Sequence, residues 1–388
     1  MIKILVFGIT QNPGGVESVI MNYYQKLNKD KIQFDFLCNT PKVAYENEIL
    51  QLGGKIYRIT ARSSNRKKYK EELEKFYKEH AHEYNAIWVN VCSLANIDYL
   101  KMAKKYNIKY RIIHSHNSEN MDSKLRGILH KINKIFIDKY ATDFWACSDE
   151  AGKWFFNKKI MSSDKYLVVN NAVDTEKYKF DENIRKKYRQ DLKIENEFVI
   201  GNVGRLHFQK NQEFLIDIFN EINKKIDNAK LLIIGQGEDE EKLKNKVKEL
   251  GLDEKVGFLG VRYDIPNLLQ AMDAFVFPSV FEGLGLALIE AQSSGLQTYA
   301  SKDVIPNVVK MSEDFHFISL NEMPEEWAKI ILENRKDRNN NEVANINIKK
   351  SGYDIGEETK KLEKYFERTW MSKYKIRRLG AKWKKIIK

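Results

Sequence analysis

The chain lacks the features that would tie it to several common protein classes. Its three cysteines, Cys38, Cys92 and Cys147, lie far apart with no Cys-x-x-Cys pair. Neither a disulfide framework nor a zinc site is expected, and the thiols read as ordinary side chains in a reducing cytoplasm. No run of 18 apolar residues occurs, so no transmembrane helix is expected. The apolar run near the N-terminus, Ile4–Phe7, is too short for the core of a secretion signal. Neither a His-Glu-x-x-His pattern nor an Asp-x-Asp triplet is present, which removes common marks of catalytic zinc and of carboxylate-held Mg²⁺.

Charge is abundant but unevenly placed. The sequence holds 66 Lys and Arg against 54 Asp and Glu, a net charge of +12. Residues 1–175 carry 28 basic and 19 acidic side chains, 176–369 carry 30 and 35, and 370–388 carry 8 and 0. A surplus at the front and on the tail points to an anionic partner, either a membrane surface or a nucleic acid. Apolar residues make up 43% and aromatics 12% of the 388 residues, enough for packed cores in two or three domains.

Short apolar runs rich in β-branched residues alternate with helical stretches, the pattern of βαβ units in an α/β fold. Strands are expected at Ile2–Phe7, Phe34–Cys38, Ala86–Val91, Tyr110–His114 and Asp143–Cys147. A second series, beyond a polar stretch over 171–196, comprises Phe198–Val203, Lys230–Ile234, Val256–Leu259, Ala274–Pro278 and Gln297–Ala300. Two such parallel-sheet domains in tandem place ligands at the carboxyl ends of the strands, in the cleft between them.

Four segments at strand ends carry chemistry. Gly14-Gly15-Val16-Glu17-Ser18 is either a tight strand-to-helix turn or a helix N-terminus open to an anion. Gly204, Arg205 and Lys210 follow the first strand of the second series. The two cations are either solvated or placed for a diphosphate, Arg as a fork and Lys as a point charge. Glu282, in a glycine-containing turn, precedes a helix holding Glu290 among Leu286, Ala287, Leu288 and Ile289. A carboxylate in that apolar setting needs donors, from a salt-bridge partner or from ligand hydroxyls. His114 and His116 stand two residues apart at a strand end and share a face. With no third ligand nearby, a polar contact to substrate fits them better than a metal.

In order along the chain, the Gly-Gly-Val-Glu loop, HSHN (114–117), ACSDEAGKWFF (146–156), GNVGRLHFQKN (201–211), IIGQGEDEEKL (233–243) and FEGLGLALIEA (281–291) resemble one family. It is the retaining, GT-B fold glycosyltransferases of family 4, of the bacterial exopolysaccharide and capsule type. The resemblance implies two Rossmann-like domains facing a cleft, with a last helix crossing back to the first. Residues 1–175 would bind the acceptor, 176–355 the nucleotide sugar, and 356–388 would form the crossing helix and basic tail. A sugar would move, with retention, from a nucleotide sugar (a UDP-sugar favoured) to a glycan or lipid-linked saccharide.

Carried over residue by residue, the resemblance implies that Gly14, Gly15 and Gly204 meet the donor diphosphate. Arg205 and Lys210 would neutralise it as it leaves. Glu282 would hold donor-sugar hydroxyls with the backbone of Gly283, Leu284 and Gly285, and Glu290 the ribose hydroxyls. His116 or His114 would touch the sugar at the reacting centre, and Glu17, His114 and Asn117 are further sugar or acceptor contacts. No cofactor and no metal are expected. Leu296-Gln297 and Gln292-Ser293 depart from the family pattern and leave the donor open.

The tail 370–388 interleaves Trp370, Tyr374, Ile376 and Trp383 with cations and no acid, a composition suited to an anionic bilayer. The expected location is therefore cytoplasmic, at the inner face of the plasma membrane. Leu125, Ile128, Leu129, Ile132, Ile135 and Phe136 repeat at helical spacing within 124–139, with Arg126, Lys131 and Lys134 adding charge; an apolar face packed into its own domain is expected there, the alternative being a face that helps the tail on a membrane. Two readings compete: a GT-B enzyme of other chemistry (inverting transferase, sugar-phosphate synthase or epimerase), and a nucleic-acid-binding protein. The second leaves the Arg/Lys pair and the two glutamates unexplained, so no nucleic-acid partner is expected.

Overall fold

The computed structural model describes residues 1–118, 124–338 and 342–368. The basic tail 370–388 lies outside the described residues. Seven strands form the first sheet: β1 (Ile2–Phe7), β2 (Ile32–Cys38), β3 (Ile56–Arg58), β4 (Ala86–Val91), β5 (Tyr110–Ser115), β6 (Asp143–Ala146) and β7 (Tyr166–Val168). Six form the second: β8 (Phe198–Val203), β9 (Ala229–Ile234), β10 (Val256–Phe258), β11 (Ala274–Phe277), β12 (Gln297–Ser301) and β13 (Phe315–Ile318). The orders are β3-β2-β1-β4-β5-β6-β7 and β10-β9-β8-β11-β12-β13. The pairings are parallel in both, as β1 with β4 and β8 with β11 show.

Helices cover both faces of each sheet, which is why β2 and β11 are buried along their whole length; β11 reads as an unbroken apolar run, whereas β2 buries Gln33 and Asp35 among its apolar residues. Trp88, Trp145 and Phe34 fill one layer of the first domain, and Phe219, Tyr299 and Trp327 one layer of the second. The strands that the sequence pattern does not show, β3, β7 and β13, are three or four residues long and lie at sheet edges. An edge strand needs no continuous apolar run.

In each sheet the order reverses beside the first strand: β1 sits between β2 and β4, and β8 between β9 and β11. Loops leaving the two central strands diverge to opposite faces and open a crevice at their carboxyl ends. The Gly14-Gly15 loop leaves β1, the Arg205–Lys210 loop leaves β8, and the Glu282 loop leaves β11. The histidines end β5, one strand further along.

Residues 355–368 form a helix that returns to the first domain. Ile355, Leu362 and Phe366 join its core, and Tyr365 packs edge-on against Trp145 at 5.0 Å while its hydroxyl donates to Asp143 at 2.5 Å. The outward and return crossings run side by side, where Val173 pairs with Asp354.

One expectation fails. Helix Lys124–Phe136 buries Gly127 and His130, whereas Leu125, Ile128, Ile132, Ile135 and Phe136 are exposed. Polar side chains anchor its inward face, which turns the apolar one to solvent.

Candidate active site

The second domain supplies two interlocked loops. At Gly235, with φ +138°, a Cβ would sit 1.9 Å from the Gly204 carbonyl oxygen, and at Gly237 one would sit 2.0 Å from that of Leu206. Only glycine lets the loops after β8 and β9 lie this close. Their approach brings Glu238 beside Arg205, whose Nη2 donates to Glu238 Oε2 at 2.6 Å. The other oxygen of Glu238 lies 3.1 Å from His207 Nε2. Arg205 is 64% exposed, so its guanidinium is aimed by a counter-ion but stays open to an anion.

Lys210 is placed more firmly. Its stem lies over Gly204, its Nζ donates to Glu282 Oε1, and the ammonium stands 4.6 Å above the Phe277 ring. The loops carrying the pair are clasped together: Val280 N–H donates to the Gln209 carbonyl at 2.8 Å, and Gln209 Nε2 to the Phe281 carbonyl at 3.0 Å. The Lys210 and Glu282 side chains are only 17% and 8% exposed. An ion pair this dry cannot lose one member without leaving a costly lone charge. Beyond it, Gly285 adopts φ +79° and ψ 57° and starts the helix Leu286–Ser293.

Glu290 lies on that helix, 9% exposed. Burial raises its carboxyl to about 7, against a hydrogen bond from the Tyr178 hydroxyl and the nearby Lys177 charge. Tyr45 of the first domain lies close enough for Glu290 to act on its hydroxyl, which shares a hydrogen bond with Ser18 Oγ at 3.1 Å. Its ring meets Tyr263 of the second domain edge-on at 5.5 Å. No motif marked these three tyrosines, because Tyr178 falls in the polar linker and Tyr45 and Tyr263 in loops.

On the first domain's side, Gly14 and Gly15 are exposed at the start of the helix Gly15–Lys26, and nothing lies within 4 Å of a Cβ built at Gly15. Glu17 turns the other way: it accepts from Thr10 Oγ1 at 2.6 Å and Thr10 N–H at 3.2 Å, and burial raises its carboxyl. It braces its own loop instead of offering a sugar contact. Asn117 is likewise buried, with its side chain accepting from Ser118 N–H at 3.0 Å.

The histidines separate cleanly. His114 is fully buried, stacked on Trp88 at 5.8 Å and edge-on to Trp145, and burial holds it well below the usual histidine range. It is a core residue. His116 is half-buried, and a Cβ at Gly283 would lie 4.0 Å from its carbonyl oxygen, so it borders the second domain's loop. Burial lowers its ring to about 3, so it is neutral. Its Nε2 lies 2.9 Å from Asn90 Oδ1, and Asn90 Nδ2 donates to the Phe7 carbonyl at 3.3 Å. That amide orientation puts the proton on Nε2 and leaves Nδ1 as a buried acceptor with no partner among the described residues. Asn90 was missed by sequence reasoning, although one amide inside the run Ile87-Trp88-Val89-Asn90-Val91 was the signal.

Gly283 beside His116, Tyr263 on Tyr45, and Leu286 packed against the first domain's core bring the two sets of strand ends together. Among the described residues, no three His, Cys, Asp or Glu side chains gather where they could hold a metal ion, and no helix is long and apolar enough to cross a membrane.

Two Rossmann-like domains with this crevice and a crossing helix constitute the GT-B architecture. Anabaena HepE, solved with UDP and glucose, superposes with a TM-score of 0.77 over 95% of this chain and 100% of its own, at 20% identity. Residues 184–351 match the family model for glycosyl transferases, group 1. Among relatives, EpsF of Bacillus subtilis, a glycosyltransferase by name, is 28% identical over 82% of this chain and 84% of its own length. The capsular polysaccharide biosynthesis glycosyltransferase CapH of Staphylococcus aureus is 25% identical over 90% and 96%. The UDP-Gal:alpha-D-GlcNAc-diphosphoundecaprenol alpha-1,3-galactosyltransferase of Escherichia coli is 33% identical over 54% and 56%. Glycosyltransferase activity is thus the supported class.

Proposed function

We propose that the chain transfers a sugar, with retention of anomeric configuration, from a UDP-sugar to a glycan or lipid-linked saccharide during surface polysaccharide synthesis. The observation that carries this reading is the dry Lys210–Glu282 pair beside the exposed Arg205, at the crevice where β8 and β11 end. A donor diphosphate gains negative charge as the glycosidic bond breaks. Lys210 and Arg205 meet that charge with groups already oriented, which is where electrostatic catalysis gains most. Glu282, released by Lys210, takes up donor-sugar hydroxyls, so neither buried charge is left alone. Glu290 receives the ribose hydroxyls as a carboxylate, and neutral His116 borders the sugar near the reacting carbon. No protein nucleophile enters the scheme, and the two cations do the neutralising without a metal.

Support for the donor and acceptor classes comes from the E. coli relative, named for a UDP-Gal donor and a diphosphoundecaprenol-linked acceptor, and from HepE, solved with UDP and glucose. The tail 370–388 is proposed to hold the enzyme at the cytoplasmic face of an anionic membrane. A UDP-sugar panel with NMR assignment of the product anomer tests the reaction. An axial-to-axial outcome from an α-linked donor, undiminished by EDTA, is expected. An inverted product, or activity lost to EDTA and restored by Mg²⁺ alone, would overturn it.

A further inference from the structure

Helix Lys124–Phe136 is oriented inside out. Its attachment to the first domain is polar: the Leu94 N–H donates to His130 Nδ1 at 3.0 Å, and His130 Nε2 donates to the Trp154 carbonyl at 3.1 Å. The His130 ring stacks on the Trp154 indole at 4.1 Å. Asn133 Nδ2 donates to the Leu94 carbonyl at 2.7 Å, and Lys134 Nζ to the carbonyls of Lys153 and Trp154 at 2.6 and 2.8 Å. These bonds hold the polar side of the helix against the protein. The other side presents Leu125, Ile128, Ile132, Ile135 and Phe136, which are 48% to 67% exposed.

At roughly 100° per residue the five apolar side chains fall within one arc of about 100°. Lys124 and Lys131 border that arc on one side and Arg126 stands beyond its other edge, and no Asp or Glu occurs from 124 to 136. The helix begins eight residues beyond His116 in the sequence. Within 124–136, an apolar stripe bordered by Lys124 and Lys131 matches an anionic bilayer, with the stripe among the acyl chains and the cations at the phosphates. A second copy of this chain is a poorer occupant, because a two-fold contact would set like charges against each other along the rim.

We propose that the face of helix Lys124–Phe136 docks on an anionic membrane surface, independently of the tail. This extends the reading of a membrane-borne acceptor. Flotation of the full chain with phosphatidylcholine–phosphatidylglycerol vesicles tests it against pure phosphatidylcholine. The triple variant Ile128→Gln, Ile132→Gln, Ile135→Gln is expected to lower the vesicle-bound fraction by about tenfold or more, and deletion of 370–388 is expected to leave helix-dependent binding in place. In the chain lacking 370–388, Ile132→Trp is expected to add, relative to the same chain with Ile132, a component that shifts to the blue with anionic vesicles only.

Flotation of the triple variant equal to that of the parent, or unshifted Ile132→Trp emission, would overturn the proposal. So would a parent that self-associates through this face and does not float. The UDP-induced rise in Tm, expected unchanged in the triple variant, reads the donor site separately, so the surface and the proposed function fail by different measurements.

Discussion

The two domains share a parallel sheet, a reversed strand order and helical crossovers, yet they dispose of their polar groups in opposite ways. In the second, the two cations of the loop after β8 each face a carboxylate: Arg205 on Glu238, and Lys210 on Glu282. In the first, the polar groups of helix Lys124–Phe136 are spent on anchoring the helix, and its apolar side chains are left in solvent. The first arrangement suits a small charged ligand that exchanges partners with groups already in place. The second suits a large, soft surface that needs no register.

Breaking the second domain's side of this contrast has the largest expected effect. Lys210→Ala removes the cation and strands Glu282, so kcat should fall by about 10²–10³-fold and stability by roughly 3 kcal/mol, read by initial rates and urea unfolding.

Glu290 gives a pH signature. Its carboxyl holds a proton up to about 7 in the folded chain, against an ordinary value of 4.5. The folded state therefore binds more protons than the unfolded one between those values, and stability falls as pH rises through that window, by roughly 3 kcal/mol in all. Glu290→Gln should lack the fall in a Tm-versus-pH series. Because ribose hydroxyls donate best to the carboxylate, affinity for a UDP-sugar, whose diphosphate does not titrate near neutrality, should rise up to about tenfold as pH climbs through 7, and should stay flat in the variant.

Asn90→Ala sharpens the first domain's part in the chemistry. With Nε2 no longer held, the neutral His116 ring loses its fixed tautomer, and kcat/KM should drop by about fivefold to tenfold with UDP binding unchanged. The smallest effect is expected at Glu238→Gln. The pair it forms with Arg205 is exposed, so Tm should not move, and UDP affinity should change by only about threefold, measured by calorimetry.

How far the sequence reached differs between the same two regions. Strands β1, β4 and β8 match their apolar runs residue for residue, because strands buried on both faces leave a continuous trace. Edge strands β3, β7 and β13 leave none. The residues proposed for the donor site were readable because glycines and charges at strand ends stand out, and Lys210 and Glu282 do meet in an ion pair. Tyr45, Tyr178 and Tyr263 reach the crevice through loops, where nothing local predicts a tertiary neighbour. Helical spacing at 124–136 told which side chains share a face but not which face points inward. The anchors His130, Asn133 and Lys134 decide that, and their role appears only once Leu94 and Trp154 are in place.

The charge surplus also divides along these lines. Among residues 176–369 acids outnumber bases, although Arg205 and Lys210 stand at the strand ends. The excess belongs to the first domain and the tail.

The most direct test of the donor crevice is a UDP titration by thermal shift with the parent, Lys210→Ala and Glu290→Ala, since a ligand of the folded state raises Tm in step with the logarithm of its excess. The parent should gain stability as UDP is added, and both variants should lose most of that gain. A full UDP shift in Glu290→Ala and Lys210→Ala, or no shift in the parent, would contradict the assignment.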